Sequence, residues 1–128
     1  MSRRKSIYID GFAHKNPIPA AALVDGLLMS GIIYGLDLET GKPAEGMDAQ
    51  CRLMFRHFKA ILEASGATAD DVVKLNVFLL DRSDRAALNA EWMSMYPDPD
   101  NRPVRQAMQA DLDGGKLIQC DFVAKLSQ

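Results

Sequence analysis

The chain has 128 residues, 48% of them hydrophobic and 25% charged, the profile of one globular domain spanning 1–128 with an ordinary core. A formal net charge of −2 provides no global field to draw it to nucleic acid or to an anionic membrane. The basic run Arg3, Arg4, Lys5 reads as a solvated tail, since no apolar segment long enough for a signal peptide or a membrane span follows it, and the two distant cysteines lead to the expectation of a reduced, cytoplasmic protein.

The first predicted strand is "KSIYID", residues 5 to 10, short, β-branched and aromatic. "GFAHKNPIPAA" reads as an extended loop rising into a second strand at "AALV", and Asp25-Gly26 makes a tight turn into "LLMSGIIYG". An N-terminal antiparallel hairpin follows. Residues 36 to 48 supply turn residues and little hydrophobicity. A helix is expected from about Met47 to Gly66, because Cys51, Met54, Phe55, Phe58, Ile61 and Leu62 recur at helical spacing while Asp48, Arg52, Arg56, Lys59 and Glu63 take other faces. His57, beside the apolar stripe, reads as a boundary or surface residue.

"TADDVVKLNVFLLD", residues 68 to 81, opens with a capping-like Thr68 and Asp71 and becomes a strand in which Val73, Leu75, Val77 and Leu79 alternate with Lys74 and Asn76. Ser83 and Asp84 open a second helix, with Leu88, Trp92, Met95 and Tyr96 on its inner face. After the loop "PDPDNRP" come two last strands, approximately 104 to 110 and 116 to 126, joined as a hairpin through "DLDGG". The order is ββ, helix, β, helix, ββ, which predicts an α+β fold: a mixed sheet with both helices on one face.

Cys51 and Cys120 are far apart, and neither they nor His14 and His57 stand at a metal-ligand spacing. Both cysteines read as small buried apolar groups, and no structural metal is expected. In the last strand Ile118, Cys120, Phe122, Ala124 and Leu126 share a face fit to pack under the helices. Leu117, Gln119, Asp121, Val123 and Lys125 share the other, a mixture that a subunit interface would explain. A hairpin centred on Asp113 and Gly114 would set Arg105 opposite or diagonal to Asp121 on one face. Arg105 would then be held at an interface edge, where its planar fork can grip a carboxylate. Spacing alone favours an interface salt bridge without chemistry.

Several of these segments together resemble the Rid family, also called YjgF, of reactive-intermediate deaminases. "GLLMSG" (26 to 31) is similar to the family's glycine, apolar run and Ser-Gly segment. "TGKPAEGMDAQCRLMFRHFKAILEASGATADDVVKLNVFLLD" is similar to its central helix, Ala-Gly junction and following strand. "ALNAEW" keeps the helix asparagine as Asn89, and "RPVRQAM" resembles the Pro-x-Arg segment with Arg105 in the arginine position. The similarity covers most of residues 16 to 126.

The resemblance implies a chorismate-mutase-like fold assembled as a homotrimer, with ligand sites in the clefts between subunits and neither cofactor nor metal. It implies hydrolysis of enamines and imines such as 2-aminoacrylate to a 2-keto acid and ammonia. Arg105 would bind the substrate carboxylate and the acidic residue of the final strand, here Asp121, would assist the chemistry. Ser30, Gly31, Ile32, Ile18, Tyr34 and Asn89 would line the pocket. The departures are Asp121 for the usual glutamate, Ile18 for the tyrosine after the N-terminal proline, Ile32 for a glutamine and Ala107 for a cysteine. They predict a larger or more apolar pocket, in which Tyr34 or His14 would have to restore any polar group.

Three alternatives stand beside a deaminase of small imines. One is a deaminase specialised for a larger intermediate such as 2-aminomuconate. Another is a non-catalytic trimer that binds small carboxylic acids. The third is an endoribonuclease or translation inhibitor, against which the acidic balance and the lack of a basic aromatic stripe weigh.

Overall fold

The computed structural model describes residues 3–11 and 17–127. Its elements are β1 (Arg4–Ile7), β2 (Ala21–Val24), β3 (Leu27–Ser30), β4 (Ile33–Tyr34), β5 (Leu36–Asp37), β6 (Lys42–Pro43), α1 (Met47–Ala64), β7 (Val72–Leu79), α2 (Ala86–Met95), β8 (Val104–Gln109) and β9 (Ile118–Lys125). The expected α+β architecture is present. The main sheet runs β1-β2-β3-β9-β7-β8, with β4 pairing off that path to β9, and α1 packs on β4, β5, β9 and α2. Phe58 stacks on Phe122 of the central strand at 4.9 Å, and Cys51 and Cys120 are free and buried in the same core.

The N-terminal hairpin is as expected at its turn, where Asp25 (φ 50°) and Gly26 (φ 83°) both take the left-handed conformation that a two-residue hairpin loop requires. The first strand is earlier than expected. Arg4 and Lys5 lie in β1 rather than in a tail, and Arg3 Nε pairs with Asp25 at 2.9 Å. Residues 12–16, His14 among them, lie outside the described residues. "LLMSGIIYG" is not one continuous strand: β3 pairs with β9 as far as Met29↔Val123, and pairing resumes in β4 at Ile33↔Cys120. At the break the Phe122 N–H donates to Ser30 Oγ at 2.9 Å, because a buried amide that loses its ladder partner must find another acceptor.

The apolar stripe of α1 is buried as its spacing predicts, and Gly66 (φ 77°) ends the helix in the left-handed conformation. His57 is a correction. It is buried, and its Nε2 donates to the Leu36 carbonyl at 2.8 Å, tying α1 to β5. Gln50, unremarked in the sequence, is also buried: its Nε2 donates to the Ala44 and Gly115 carbonyls (2.9 and 3.1 Å) and its Oε1 accepts from Leu117 N at 2.8 Å. Gly35 lets α1 come this close, since a Cβ there would sit 2.4 Å from the Gln50 carbonyl oxygen.

Thr68 and Asp71 form the expected reciprocal cap. Beyond it a bulge between Val72 and Lys74 leaves Val73 exposed, so Val72 and not Val73 joins the buried row with Leu75, Val77 and Leu79. The second helix starts at Ala86 rather than at Ser83. Asp81 Oδ1 accepts from the Ser83 amide and hydroxyl (3.0 and 2.7 Å), which commits Ser83 to a turn.

The largest correction concerns the last two strands. They form no hairpin: β8 pairs with β7 in parallel, and β9 inserts between β3 and β7. Burial explains the placement. Ile118, Cys120, Phe122 and Ala124 are almost wholly buried and suit a central strand, whereas β8, preceded by Pro103 and half exposed, suits an edge. The β7-α2-β8 unit is an ordinary crossover between adjacent parallel strands.

Candidate functional site

Arg105 sits on edge strand β8 opposite Leu75, which is itself opposite Phe122 on β9. Leu75 and Phe122 are buried under the helices, so this row places Arg105 on the helix side of the sheet. A guanidinium is tolerated there because α2 supplies its surroundings. Nη2 donates to Asn89 Oδ1 at 2.8 Å, and the guanidinium carbon lies 5.2 Å from the centre of the Trp92 ring. Nη1 is buried without a hydrogen-bond partner, and Arg105 forms no ion pair among the described residues. Burial first, and the neighbouring charge of Arg85 second, push its pKa below the ordinary value. A planar cation with one arm fixed and one unsatisfied is prepared for an anionic acceptor.

Asp121 of the same chain is not that acceptor. It lies opposite Asn76, on the face away from the helices, and accepts from Asn76 Nδ2 at 2.8 Å. The expected contact between Arg105 and Asp121 fails because the hairpin that would have made it does not exist. Asp121, Asn76 and Gln106 instead form a polar row across the open face. Apolar neighbours flank that row, and Leu27, Met29 and Val104 on the same face are 44%, 51% and 63% exposed.

The Ser-Gly segment lies on the far side of the sheet order. Besides receiving Phe122 N, the Ser30 hydroxyl donates to the Gly31 carbonyl at 2.9 Å, and Gly31 N donates to Ala20 O at 2.9 Å. These groups are therefore already committed within the chain. Ile18 and Ile32 flank this corner, both about half exposed. Tyr34 pairs with Gln119 across the β4–β9 ladder, and Lys116 Nζ lies 4.8 Å from its ring centre. Two strands separate β3 from β8, so Ser30 and Arg105 stand about 14 Å apart at ordinary strand spacing. One chain thus gathers Arg105 with Asn89, and separately Ser30, Gly31, Ile32 and Ile18. It does not bring the two groups together.

Trp92 was legible in the sequence only as a core residue, and its second role beneath Arg105 has no sequence signal beyond the i, i+3 spacing from Asn89. A hollow of ≈ 440 Å³ between α1 and α2, lined by Lys59, Leu62, Glu63, Ala67 and Met95 among others, includes none of the residues above. Among the described residues no cluster of His, Cys, Asp or Glu is arranged to hold a metal ion, and no helix is long and apolar enough to cross a membrane.

Comparison with known proteins gives a consistent result. The family model described as "Endoribonuclease L-PSP" matches residues 8–123. The crystal structure of RidA from the Antarctic bacterium Psychrobacter superposes with a TM-score of 0.86 at 32% identity, covering 95% of this chain and 99% of that one. A RutC family protein of Pyrococcus abyssi is 29% identical over 88% of this chain and 93% of its own length. A 2-iminobutanoate/2-iminopropanoate deaminase of Salmonella typhimurium is 38% identical over 49% of each chain.

Proposed function

The chain belongs to the Rid/YjgF family, and from that premise we propose that it hydrolyses small carboxylate-bearing enamines and imines, of the 2-aminoacrylate and 2-iminopropanoate type, to a 2-keto acid and ammonia. The observation that carries this reading is the half-satisfied guanidinium of Arg105, oriented by Asn89 and Trp92 with Nη1 buried and unpartnered. The kinship with a named imine deaminase over half of each chain supports the same reaction class.

In this mechanism Arg105 holds the substrate carboxylate through charge-assisted hydrogen bonds and so fixes the adjacent imine carbon. The enamine first takes a proton at carbon to become the imine. Water then adds to the protonated imine carbon, giving a carbinolamine. Proton transfer from its hydroxyl to nitrogen expels ammonia and leaves the keto acid. The chain's part is to orient the imine and to place an acceptor beside the attacking water. Asp121, aligned by Asn76, is our candidate acceptor, with Gln119 on the same face. Neither meets Arg105 within one chain, so the reaction requires a second subunit.

A homotrimer with sites between subunits is therefore part of the proposal. The exposed Leu27, Met29 and Val104 supply the kind of apolar face that such an assembly buries. Across that boundary the Ser30 corner of one subunit meets the Arg105 edge of another, and Ile18 and Ile32 make the pocket wall apolar.

A second reading, a carboxylate-binding trimer without turnover, is favoured by the Ser30 hydroxyl being spent on the sheet break rather than left free for a ligand. The formal charge of −2 weighs against the nuclease activity in the family's description. The deciding experiment generates 2-aminoacrylate in situ with a serine dehydratase and follows imine decay with wild-type protein, Arg105→Ala and no protein. Faster decay with wild type alone supports the deaminase. Equal decay in all three rejects these small imines as substrates and leaves carboxylate binding, or a larger imine, as the reading to pursue.

A further inference from the structure

A second cation, Arg85, lies beside Arg105. Along α2 and the residue before it, Arg85, Asn89 and Trp92 recur at the i, i+4, i+7 spacing of one helix face, and the last two of these touch Arg105. Arg85 is therefore one turn further along the stripe that faces β8. The other end of the stripe is fixed as well, since Arg82 N donates to Gln109 Oε1 at 3.2 Å. Between Arg105 and Gln109 on the same side of β8 stands Ala107, a small side chain, half-buried against the core, that adds no charge between the two arginines.

Arg85 is held but not neutralised. Its Nε donates to the Arg82 carbonyl at 2.7 Å, and among the described residues the ion pairs are Arg3–Asp25 and Lys116–Asp113 alone. Asp84 and Asp81, the acids nearest to Arg85 in sequence, pair with neither guanidinium. The depression of the Arg105 pKa by Arg85 agrees with their closeness. Two like charges beside a small residue, with one buried N–H unsatisfied, form a corner that a doubly charged anion would neutralise.

We propose that Arg85 is a second anion anchor, which makes the site selective for dicarboxylate substrates: imino acids, and the keto acids they yield, that carry a second carboxylate at the far end of a short carbon chain. The inference rests on the reading that Arg105 binds the first carboxylate. Residues four apart on a helix have Cβ atoms about 5–6 Å apart, so Asn89, and Arg105 with it, is within a short ligand's length of Arg85.

The test uses Trp92, the single tryptophan of the chain, as a fluorescent reporter of binding. The full-length protein, Arg85→Gln and Arg105→Gln are titrated with 2-oxoglutarate and with 2-oxopentanoate, which differ only in the terminal carboxylate. Circular dichroism checks that both variants are folded. Wild type is expected to bind 2-oxoglutarate at least tenfold more tightly. Arg85→Gln should lose that preference while keeping its affinity for 2-oxopentanoate, and Arg105→Gln should bind neither. Equal affinity of wild type for the two ligands, or a preference that survives Arg85→Gln, overturns the second anchor. If 2-oxopentanoate binding nevertheless vanishes in Arg105→Gln, the carboxylate anchor stands without it. Absence of binding of either ligand to wild type overturns both.

Discussion

Arg105 donates through Nη2 to Asn89 Oδ1 at 2.8 Å while its Nη1 is buried with no partner, so Asn89 orients the guanidinium and leaves its other arm for a ligand. Replacing Asn89 by alanine removes a hydrogen bond to a charged group. The affinity for a 2-keto acid such as 2-oxobutanoate should fall roughly tenfold. Arg105→Lys should bind no better than Arg105→Ala, because an ammonium cannot supply a planar fork that rests on Trp92. Calorimetric titration of the three variants checks this, and near-normal binding by Arg105→Lys would remove the bidentate argument.

Periodicity made α1 and the alternation of the last strand legible, because each has an apolar face set by local spacing, whereas within α2 only Leu88 and Trp92 are buried. Strand order was not legible. The Asp-Gly-Gly turn before Lys116 looks like a hairpin signal, yet β9 is drawn into the middle of the sheet by burial of Phe122 and its neighbours, a tertiary preference that overrides the turn. The same cause separates Arg105 from Asp121. The importance of Arg105 was legible as an unpaired cation at a strand start, but its hydrogen-bond partner Asn89 lies on a helix face sixteen residues upstream. His57 and Gln50 were missed for a related reason: a polar side chain on an apolar stripe is buried when backbone groups from loops await it, and those groups leave no mark in the stripe itself.

Ser30→Ala separates a structural role from a binding role. The substitution leaves Phe122 N without its acceptor in the middle of the sheet, at a cost of about 1–3 kcal/mol. The thermal midpoint should fall by several degrees while the affinity of the folded protein for a keto acid stays within about twofold. An unchanged midpoint with lost affinity would instead make the hydroxyl a ligand contact.

Gln50→Leu strips three backbone groups of their partner, the Ala44 and Gly115 carbonyls and the Leu117 amide. A loss of roughly 2–5 kcal/mol is expected, read as a lower urea midpoint. Gly35→Ala attacks the same junction from the other side, since its Cβ would meet the Gln50 backbone, and should cost about 1–3 kcal/mol or more through overpacking. Because the two sites touch, the double variant should lose less than the sum of the single losses. Strict additivity would mean that the junction is not a unit.

The buried thiols predict an alkaline limit to stability. Burial, followed by the charges of Glu91, Asp84 and Asp48, raises the Cys51 pKa from 9.0 to about 12. Burial, then Asp121 and Cys51, raises that of Cys120. Unfolded thiols ionise near pH 8.5–9, roughly where exposed cysteine does, while the folded ones stay protonated. Above that pH the unfolded state binds fewer protons than the native state, so stability falls as pH rises. The loss approaches about 1.4 kcal/mol per pH unit for each thiol, through the window from pH 9 toward 12 for Cys51. Below pH 8 the thiols contribute no slope. Urea unfolding at pH 7.5, 9 and 10 of wild type and of Cys51→Ala/Cys120→Ala isolates this term, because the cavity cost of the substitutions is the same at every pH. The wild-type curve should fall more steeply above pH 9 than that of the double variant. Parallel curves would mean that both thiols ionise in the native state as freely as in the unfolded chain, which their burial in the core opposes.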